Sequence, residues 1–520
     1  MDRNRMLAEI RTNPKVYDFI IIGGGATGIG IALDASSRGY SVLLLEKSDF
    51  TKSTSSKSTK LVHGGVRYLA QGNIGLVREA VVERGLLAQN APHLVKNQTF
   101  IIPTHDFYDE LLYTVGLTLY DLLAGTLSLG RSKHISKKKT LERISTINSN
   151  KISAGVEYHD GQFDDTRLAI NTLQSAEEMG ALVINYCTVN ALLKNEAGKI
   201  TGVKFTEEES KEVFEIKGKQ VVNATGVFAD DILQMDSPNA RKTIAPSQGV
   251  HLVLDKSFLP GNDAIMIPKT DDGRVLFLVP WYNKIVVGTT DTPIKEESLE
   301  PIALDDEIEF ILSTTARYLT KAPQRSDVLS VFAGLRPLAA AKREGKKTKE
   351  ISRSHKIITS ESDLLTMIGG KWTTYRKMGQ DLVDKAEKLQ SWEHIASKSE
   401  HLKIHGYKLS VDYKNPLCFY GSDDAKVLEV AKEKGMSEMI GPTFNIMKAQ
   451  VVWAVRNEMA RTAEDFLARR TRCQLLDARE SMKMAPQVAE IMAKELGKDE
   501  KWQSEQVANY ISVTSNYILE

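Results

Sequence analysis

The sequence predicts an α/β protein with a Rossmann-like dinucleotide-binding domain, an inserted domain built on an antiparallel or mixed sheet, and an all-α C-terminal domain. A strand, a glycine turn, a helix and a second strand follow one another over residues 17–46. Strand-like runs separated by turn residues occupy residues 245–292. Residues 400–520 carry charged helical patterns without strand alternation. These three observations predict the domain order.

The first two domains are predicted to be discontinuous, because QVVNATG at residues 220–226 is typical of a strand that rejoins the first sheet. The chain of 520 residues is long enough for three separate cores. The predicted boundaries are 1–80, 150–235 and 355–390 for the dinucleotide-binding domain, 81–149 and 236–354 for the substrate domain, and 391–520 for the helical domain.

The composition is that of a soluble globular protein, with 42% apolar and 26% charged residues. The net charge of +1 does not favour nucleic acid as a partner. Cys187, Cys418 and Cys473 are far apart and odd in number, so they predict neither a metal centre nor a disulfide framework and suit a reducing compartment. The charged N-terminus has no apolar block of a secretory signal, and we therefore expect a cytoplasmic protein.

The most apolar stretch is LLYTVGLTLYDLLAGTLSLG, residues 111–130, and a basic run, RSKHISKKKTLER, follows it at 131–143. Asp121 and the glycines weaken the apolar run, so a membrane-spanning helix is not expected. Two interpretations remain open. The stretch is either a buried helix followed by a solvated loop, or a helix in the membrane interface whose basic flank contacts anionic lipid.

A dinucleotide-binding loop is predicted between the first strand and the first helix of the dinucleotide-binding domain. Gly23, Gly25 and Gly28 have the G-x-G-x-x-G spacing, which lets the backbone turn tightly, approach a pyrophosphate and pack the helix closely on the strand. Glu46 ends the next strand, where an acid can accept hydrogen bonds from a ribose. Both NAD and FAD fit such a loop, and a tight structural turn is the alternative.

A polar stretch, TSSKSTKLVHGGVRYL, occupies residues 54–69. Its glycines, Gly64 and Gly65, would let the backbone lie against a flat ring. Taken singly, its hydroxyl groups would also suit a solvated loop. The side chains that could donate hydrogen bonds to a diphosphate and a ring edge are Ser55, Ser56, Ser58, Thr59 and Lys60.

The polar stretch resembles the signature of the aerobic, respiratory FAD-dependent sn-glycerol-3-phosphate dehydrogenases. The later motifs look closest to the mitochondrial-type branch, without a counterpart of its C-terminal calcium-binding extension. One departure is VNATGVF, where the family usually has proline and tryptophan in place of Val227 and Phe228. The resemblance continues in VNATGVFADD (222–231), SQGVHLVL (247–254), VVGTTDT (286–292), AGLRPL (333–338), ISR (351–353), IGGKWTTYR (368–376) and ARTAEDFLARRTR (460–472).

The resemblance implies oxidation of sn-glycerol 3-phosphate to dihydroxyacetone phosphate by hydride transfer to FAD, with electrons passed to a membrane quinone. It also implies that the amides at the helix start after Gly369 and Gly370 face the flavin's pyrimidine edge. His63 is either a flavin neighbour or structural. The implied FAD contacts are Gly23, Gly25, Gly28, Glu46, Ser55, Ser56, Ser58, Thr59, Lys60, His63, Gly64, Gly65, Ala224, Gly226, Gly370 and Thr373.

The resemblance also implies the substrate site. Arg336, Arg353 and Lys371 would hold the phosphate, a dianion that suits arginine forks and a lysine. The residues Arg67 and Tyr68 would face the same pocket. His251 is the candidate base that acts beside Arg336 and Lys371, because imidazole titrates near working pH. A core histidine with no catalytic role is the alternative, and an arginine or a flavin-bound water could share the proton transfer.

Three rival functions remain. The first is a glycerol-3-phosphate oxidase that hands electrons to oxygen, and the second is an amine or amino-acid oxidase of the same fold. The third is a non-enzymatic binding protein that keeps the dinucleotide fold for structure alone. The leading hypothesis predicts peripheral attachment to lipid on the inner face of the plasma membrane. It leaves a homodimer open.

Overall fold

The computed structural model describes residues 1–66, 72–270, 273–340 and 355–520. Within them the chain forms two β-sheets and a C-terminal helical region, which confirms the predicted fold class. The strands are β1 Tyr17–Ile22, β2 Val42–Leu45, β3 Leu61–Val62, β4 Val95–Thr104, β5 Lys133–Ser136, β6 Ala154–Phe163, β7 Leu182–Ile184, β8 Cys187–Lys194, β9 Ile200–Glu207, β10 Val213–Asn223, β11 Ile244–Asp255, β12 Ala264–Ile267, β13 Leu276–Trp281, β14 Lys284–Gly288, β15 Thr292–Pro293, β16 Val328–Ala339, β17 Lys356–Thr359 and β18 Leu365–Ile368.

Helices cover these two sheets and form nearly all of the regular structure after β18 in the described chain. Short 3₁₀ turns at Thr54–Ser56, Gly226–Phe228 and Trp372–Thr374 lie close to the site described below. The α-helices are α1 Arg3–Thr12, α2 Ala26–Ser37, α3 Ile74–Asn90, α4 Phe107–Ala124, α5 Lys137–Arg143, α6 Asp165–Glu178, α7 Ala229–Asp236, α8 Asp305–Tyr318, α9 Tyr375–Leu389, α10 Asp424–Val430, α11 Lys448–Asn457, α12 Cys473–Leu476, α13 Ala478–Leu496 and α14 Glu500–Ser515.

The first sheet has the order β17-β18-β10-β1-β2-β7, and β8 and β9 extend it from β10. Its centre is parallel, because β1 pairs in parallel with both β10 and β2. The buried apolar runs YDFIII and VLLL suit central strands covered on both faces. Helices α2 and α9 cross at two glycines, since a Cβ on Gly379 would lie 2.3 Å from the carbonyl oxygen of Gly30.

The second sheet is mixed, in the order β15-β11-β14-β13-β12-β4-β6-β3, with β16 paired to β11 and β5 to β6. The boundary predicted at residue 150 assigns β6 to the dinucleotide-binding domain, but β6 belongs to the second sheet. It pairs antiparallel with β4 along the whole strand, from Ala154 opposite Thr104 to Phe163 opposite Val95. The chain leaves this ladder only at Asp164, whose side chain caps α6.

Buried ion pairs fix the C-terminal helical region to the first sheet. Arg470 makes two hydrogen bonds to Asp49, which follows β2, at 2.7 and 2.9 Å. Arg469 makes a third, at 2.5 Å. Arg167 of α6 binds Glu458 through two bonds of 2.8 Å. Arg469 and Arg470 of the family motif ARTAEDFLARRTR, together with Arg167 of α6, therefore supply the cations that dock one region of the chain on the other.

Helix α4 is amphipathic, so the buried-helix interpretation of residues 111–130 holds for one face only. Leu117 and Tyr120 are fully buried. The opposite face is open, with Phe107 76% and Leu122 72% exposed. None of the described helices is both long enough and apolar enough to cross a bilayer.

Candidate active site

Two cavities meet at the turn that precedes α9. One, of about 350 Å³, lies against the glycine loop after β1. The other, of about 610 Å³, opens between the polar stretch 54–66 and the second sheet. Gly369, Gly370, Lys371 and Trp372 line both cavities, so the two form one elongated site.

The glycine loop has the close contacts that a dinucleotide fold requires. Gly23 has φ +110°, and a Cβ there would lie 2.7 Å from the carbonyl oxygen of Ala224. A Cβ on Gly28 would lie 1.9 Å from the carbonyl oxygen of Gly23. Gly25 precedes α2, and the first residues of this helix line the smaller cavity. The positive end of the helix therefore faces a space that suits a phosphate.

Glu46 lies at the wall of the same cavity, where it also supports the loop. Its two carboxylate oxygens accept hydrogen bonds from the amides of Gly24 and Ser48, at 2.7 and 2.8 Å. Burial raises the pKa of Glu46, and the two amides oppose this change. Each oxygen has a second lone pair and can still accept from a ribose hydroxyl. Ala224 and Gly226 line the cavity nearby.

The polar stretch divides into side chains that line the site and side chains that hold the loop. Ser55, Ser58 and Thr59 line the cavities. Ser56 and Lys60 do not belong to the described lining of either cavity. Lys60 is fully buried, and its ammonium group donates to Asp165 at 2.6 Å and to the carbonyl of Ser56 at 2.7 Å.

The turn before α9 is bonded to the polar stretch on both sides. The indole N–H of Trp372 donates to the carbonyl of Ser55 at 2.8 Å, and the amide of His63 donates to Oγ1 of Thr373 at 3.2 Å. His63, Gly65 and Thr373 line the larger cavity. These bonds set the position of the loop relative to the start of α9.

Gly64 has a packing role at the end of the polar stretch. A Cβ there would lie 2.3 Å from Val81 and 2.6 Å from the hydroxyl of Tyr120, and the Gly64 amide donates to this hydroxyl at 2.7 Å. The described lining of the two cavities includes Gly65, which has φ +78°, but not Gly64.

The strand pair β11–β16 forms one wall of the larger cavity. Alternate residues of a strand point to the same face, so His251 and Gly249 share a face with their partners on β16. Glycine is required here, because a Cβ on Gly249 would lie 2.2 Å from a guanidinium nitrogen of Arg336. The ring of His251 stacks on Phe332, its direct partner, with centroids 4.9 Å apart.

Arg336 is held in a fixed orientation at this wall. Its guanidinium group donates to the carbonyl of Thr290 at 2.9 Å and to Oγ1 of Thr289 at 3.1 Å. A carboxylate oxygen of Asp291 lies 3.2 Å away and also accepts from the hydroxyl of Ser247. The arginine side chain remains 22% exposed. This oriented, partly exposed guanidinium group suits an incoming anion.

His251 is buried and neutral. Nε2 lies 2.9 Å from the hydroxyl of Thr59, and Nδ1 has no hydrogen-bond partner in the described part of the chain. Burial, the charge of Arg336 and the charge of Lys60 together hold the pKa of His251 well below 6.5. An imidazole in this state can accept a proton, but only weakly unless a nearby positive charge is neutralised.

Some predicted residues lie outside the described ranges, and other site residues were not predicted. Arg67, Tyr68 and Arg353 fall in the undescribed segments. Asp291 and Arg274 line the larger cavity without having been predicted. Asp291 stands in the motif VVGTTDT, but only the folded register brings it to Arg336, whereas nothing in the sequence distinguishes Arg274.

The combined cavity fits FAD. The glycine loop leaves no room for a Cβ, the first turn of α2 faces the smaller cavity, and the shared turn connects it to the larger one beside Lys371. Residues around the smaller cavity would hold the adenosine and pyrophosphate. The polar stretch and the turn before α9 would hold the flavin.

Comparisons with known proteins agree with this geometry. Residues 18–373 match the FAD-dependent oxidoreductase family, and residues 360–503 match the C-terminal domain of alpha-glycerophosphate oxidase. The mitochondrial glycerol-3-phosphate dehydrogenase of Schizosaccharomyces pombe is 35% identical over 93% of this chain and 85% of its own length. The enzyme of Arabidopsis thaliana is 36% identical over 96% of this chain and 86% of its own.

A solved structure covers the same length. The glycerol-3-phosphate dehydrogenase from Bacillus halodurans, complexed with FAD, superimposes with a TM-score of 0.81 at 26% identity, over 99% of this chain and 98% of that one. The chain belongs to the FAD-dependent oxidoreductases, and FAD is its cofactor. Within this class it is a member of the glycerol-3-phosphate dehydrogenase family. The predicted family, cofactor and enzyme class are therefore confirmed.

Proposed function

We propose that this enzyme oxidises sn-glycerol 3-phosphate to dihydroxyacetone phosphate and passes the electrons to a quinone at a membrane surface. The observation that carries the substrate assignment is the larger cavity, which Arg336, Lys371 and His251 line together. A phosphate dianion needs cationic donors, and a secondary alcohol needs a proton acceptor. One cavity offers both.

The phosphate of the substrate binds between Arg336 and Lys371. The guanidinium group of Arg336 is already oriented by Thr289, Thr290 and Asp291, so little side-chain entropy is lost when the anion arrives. Lys371 lies at the junction of the two cavities and adds a second positive charge. With the phosphate fixed at one end, the carbinol carbon is directed toward the flavin side of the site.

His251 accepts the hydroxyl proton of the substrate, either directly at Nε2 or through the hydroxyl of Thr59, 2.9 Å away. Burial lowers the pKa of His251, and the charge of Arg336 lowers it further. A phosphate dianion on Arg336 would offset that charge, so substrate binding itself would make His251 a stronger base. FAD, when bound, supplies the two-electron oxidant for the carbinol carbon.

Helix α4 supports attachment to a membrane. Its exposed face carries a continuous apolar stripe, and a helix of this kind lies in the interface with its apolar side in the lipid. The amide of Ser132 donates to Asp121 of this helix at 2.6 Å, which brings the basic run 131–143 alongside it. The stripe consists of Phe107, Tyr108, Leu111, Leu112, Val115, Leu119 and Leu122.

Liposome binding tests the membrane face. Lys137, Lys138 and Lys139 are exposed in the basic run that follows α4. Each lysine near an anionic surface contributes about 1 kcal/mol, so replacing all three with serine should weaken binding to vesicles that contain phosphatidylglycerol roughly 100-fold. Activity with a soluble dye should not change. Equal binding by the variant would contradict the proposed face.

A matched control removes the same amount of charge from another surface. The chain offers Lys483, Lys494 and Lys501, whose side chains are 70%, 70% and 82% exposed on α13 and α14. Their replacement with serine should leave vesicle binding as in the wild type. Loss of binding in this control would mean that total charge, not the α4 face, holds the protein on lipid.

Oxygen is the rival electron acceptor. This alternative has a specific basis, because residues 360–503 match the C-terminal domain of an oxidase. The enzyme reduced by its substrate without oxygen should be reoxidised much faster by a short-chain quinone than by air-saturated buffer. The reverse order would assign the enzyme as an oxidase. An amine or amino-acid oxidase is less well supported, because Arg336 and Lys371 together suit a dianion better than a carboxylate.

Steady-state turnover tests the substrate. The FAD-loaded enzyme should reduce a dye with sn-glycerol 3-phosphate, and turnover should be much slower with the sn-1 enantiomer and with glycerol, which lacks the phosphate. Amino acids should give none. Equal rates with glycerol and its phosphate would mean that the two cations do not bind the substrate.

A further inference from the structure

Residues 516–519, which follow α14, lie along the first half of β16, a strand that forms part of the wall of the larger cavity. The amide of Val331 on this strand donates to the carbonyl of Tyr517 at 2.9 Å. The side chain of Tyr517 is 4% exposed and belongs to the same buried apolar cluster as Phe332, the ring on which His251 stacks. The segment is therefore packed against a strand of the active site.

One face of β16 carries three residues that contribute to the site. Phe332, Gly334 and Arg336 alternate along the strand, so their side-chain positions share a face. The first stacks on the candidate base, and the last lines the larger cavity. Between them, Gly334 contacts Lys57 of the polar stretch, since a Cβ on this glycine would lie 2.6 Å from Cβ of Lys57. Lys57 is therefore packed directly against the strand at the centre of the site.

Lys57 connects the polar stretch to the segment after α14. Its buried ammonium group donates to the hydroxyl of Tyr517 and lies 3.3 Å from a carboxylate oxygen of Glu300. The hydroxyl of Tyr517 donates in turn to the same carboxylate oxygen, at 2.6 Å. Burial lowers the pKa of Lys57, and the charge of Glu300 opposes this change. The three side chains therefore form one closed hydrogen-bond network.

Lys57 also lies among the residues of the polar stretch that would hold the flavin. Lys57, Ser58 and Thr59 line the larger cavity together. Thr54, at the start of the same stretch, donates from Oγ1 to the carbonyl of Leu335 at 2.6 Å. The proposed mechanism gives Lys57 no role, although it is a buried cation at the cavity wall. Whatever holds Lys57 in place also holds the residues next to it.

We propose that Tyr517 is a positioning residue of this dehydrogenase and acts through Lys57 on the loop 54–59. The tyrosine hydroxyl holds the ammonium group and its counter-ion in place, so the lysine stem stays against β16. The loop then keeps Thr59 within hydrogen-bond reach of His251. This inference rests on the proposed function, because the loop affects the reaction only if it holds the flavin beside the substrate. A displacement of 1 Å at a reacting centre can lower a rate about 10²-fold.

Tyr517→Phe tests the role of the hydroxyl, because the variant keeps the ring and its apolar packing. In the FAD-loaded full chain, the limiting rate of flavin reduction by sn-glycerol 3-phosphate should fall about three- to tenfold. The substrate concentration at half saturation should stay within about twofold, since Arg336 and Lys371 are unchanged. The absorbance band of the bound oxidised flavin should change shape, a readout that needs no turnover. A wild-type rate of reduction in Tyr517→Phe would overturn the proposal.

The matched control is Tyr510→Phe on α14. Tyr510 is also buried, and its hydroxyl donates to Oγ of Ser481 at 2.7 Å. Neither residue belongs to the described lining of the two active-site cavities. This variant should show the wild-type rate and band, and equal slowing in both variants would contradict a specific role for Tyr517. If the wild type itself is not reduced by the substrate, the proposed function fails. The flavin band of Tyr517→Phe then decides this inference, because an unaltered band contradicts it.

A double-mutant cycle tests whether Tyr517 acts through Lys57. Lys57→Met should slow flavin reduction at least as much as Tyr517→Phe, and Lys57→Arg, which keeps a cationic donor, should recover part of the rate. Adding Tyr517→Phe to Lys57→Met should have little further effect, because the hydroxyl then has no lysine to hold. Effects that multiply fully in the double variant would contradict the proposal. If Lys57→Met does not retain FAD, the comparison of Tyr517→Phe with Tyr510→Phe remains decisive.

Discussion

The hydroxyl of Thr59 lies 2.9 Å from Nε2 of His251, which connects the polar stretch 54–66 to the candidate base on the second sheet. The two residues are 192 positions apart in the chain. Neither lies in a motif that predicts the other. The contact means that the candidate base and the proposed flavin loop are positioned by one another.

His251→Gln should lower kcat by about 10²- to 10⁴-fold, the usual contribution of a general base. A Thr59→Val variant should lower it less, because one neutral hydrogen bond contributes about 0.5–1.5 kcal/mol. Stopped-flow reduction of the bound flavin by substrate measures both. If His251→Gln reduces its flavin at the wild-type rate, the base lies elsewhere.

The buried state of His251 also predicts how stability depends on pH. The folded pKa lies well below 6.5, so only the unfolded chain takes up a proton as the pH falls below 6.5. The free energy of unfolding should therefore drop by about 1.4 kcal/mol per pH unit from this residue alone. Urea unfolding of His251→Gln should be less acid-sensitive between pH 6.5 and 5. His401→Gln, at a side chain 77% exposed, is the control and should behave as the wild type.

Arg336→Ala should raise KM by roughly 10- to 150-fold, because a charge-assisted phosphate contact contributes about 1.5–3 kcal/mol. FAD content should stay close to one per chain, since the arginine lines the substrate cavity rather than the smaller one. The exposed pairs of Arg325 with Asp305 and Glu309 provide a control, and Arg325→Ala should leave KM unchanged. An unaltered KM in Arg336→Ala would rule out its contact with the phosphate.

Gly28→Ala should release FAD. The added Cβ would lie 1.9 Å from the carbonyl oxygen of Gly23, so the loop must shift. Overpacking of this kind costs about 1–3 kcal/mol, or roughly 5- to 150-fold in FAD affinity. Gly75→Ala places the same methyl group where nothing lies within 4 Å and should bind FAD normally. Fluorescence titration of the apoprotein measures both affinities.

Asp49→Asn should destabilise the docking of the C-terminal region by about 3–5 kcal/mol, because the buried Arg470 loses its closest counter-ion, while Arg469 keeps only Glu464 and Asp465 among the described residues. Burial alone would raise the pKa of Asp49, but the two arginines hold it at about 2. This stability is present above the ordinary pKa of 3.8 and is lost as the pH falls through about 2.

Denaturant unfolding measures the effect of Asp49→Asn on stability. The control is Glu429→Gln, which breaks the ion pair of Glu429 with Lys432, whose side chains are 68% and 70% exposed. This variant should change the free energy of unfolding by about 0–1 kcal/mol. Equal, small changes in both variants would mean that the buried cluster does not hold the region in place.

The sequence predicted those parts of the site that are local in the chain. Gly23, Gly25 and Gly28 form their turn within six residues. Gly23 and Gly25 line the smaller cavity, and Gly28 packs against the carbonyl of Gly23. The role of Lys60 could not be predicted from its neighbours in the sequence. A basic side chain in a polar stretch suggested a cofactor contact, but its buried partner, Asp165, is 105 residues away.

The larger features of the fold also divide into those set by local sequence and those set by contacts between distant residues. The two sheets and the helical C-terminal region were predicted from periodicity, whereas the membership of β6 in the second sheet depended on pairing with β4, which periodicity does not specify. The cations of ARTAEDFLARRTR carried no visible partner in sequence. Asp49 became the counter-ion of Arg469 and Arg470 only through the docking of two distant regions.

Mixing the FAD-loaded protein with sn-glycerol 3-phosphate in the absence of oxygen tests the central claim most directly. We predict that the visible absorbance of the flavin bleaches in a single turnover, and that the sn-1 enantiomer leaves it largely unchanged. The rate should saturate with substrate, and Arg336→Ala should shift that saturation to higher concentration. A flavin that stays oxidised at high substrate concentration would contradict the assignment of the larger cavity as a glycerol-phosphate site.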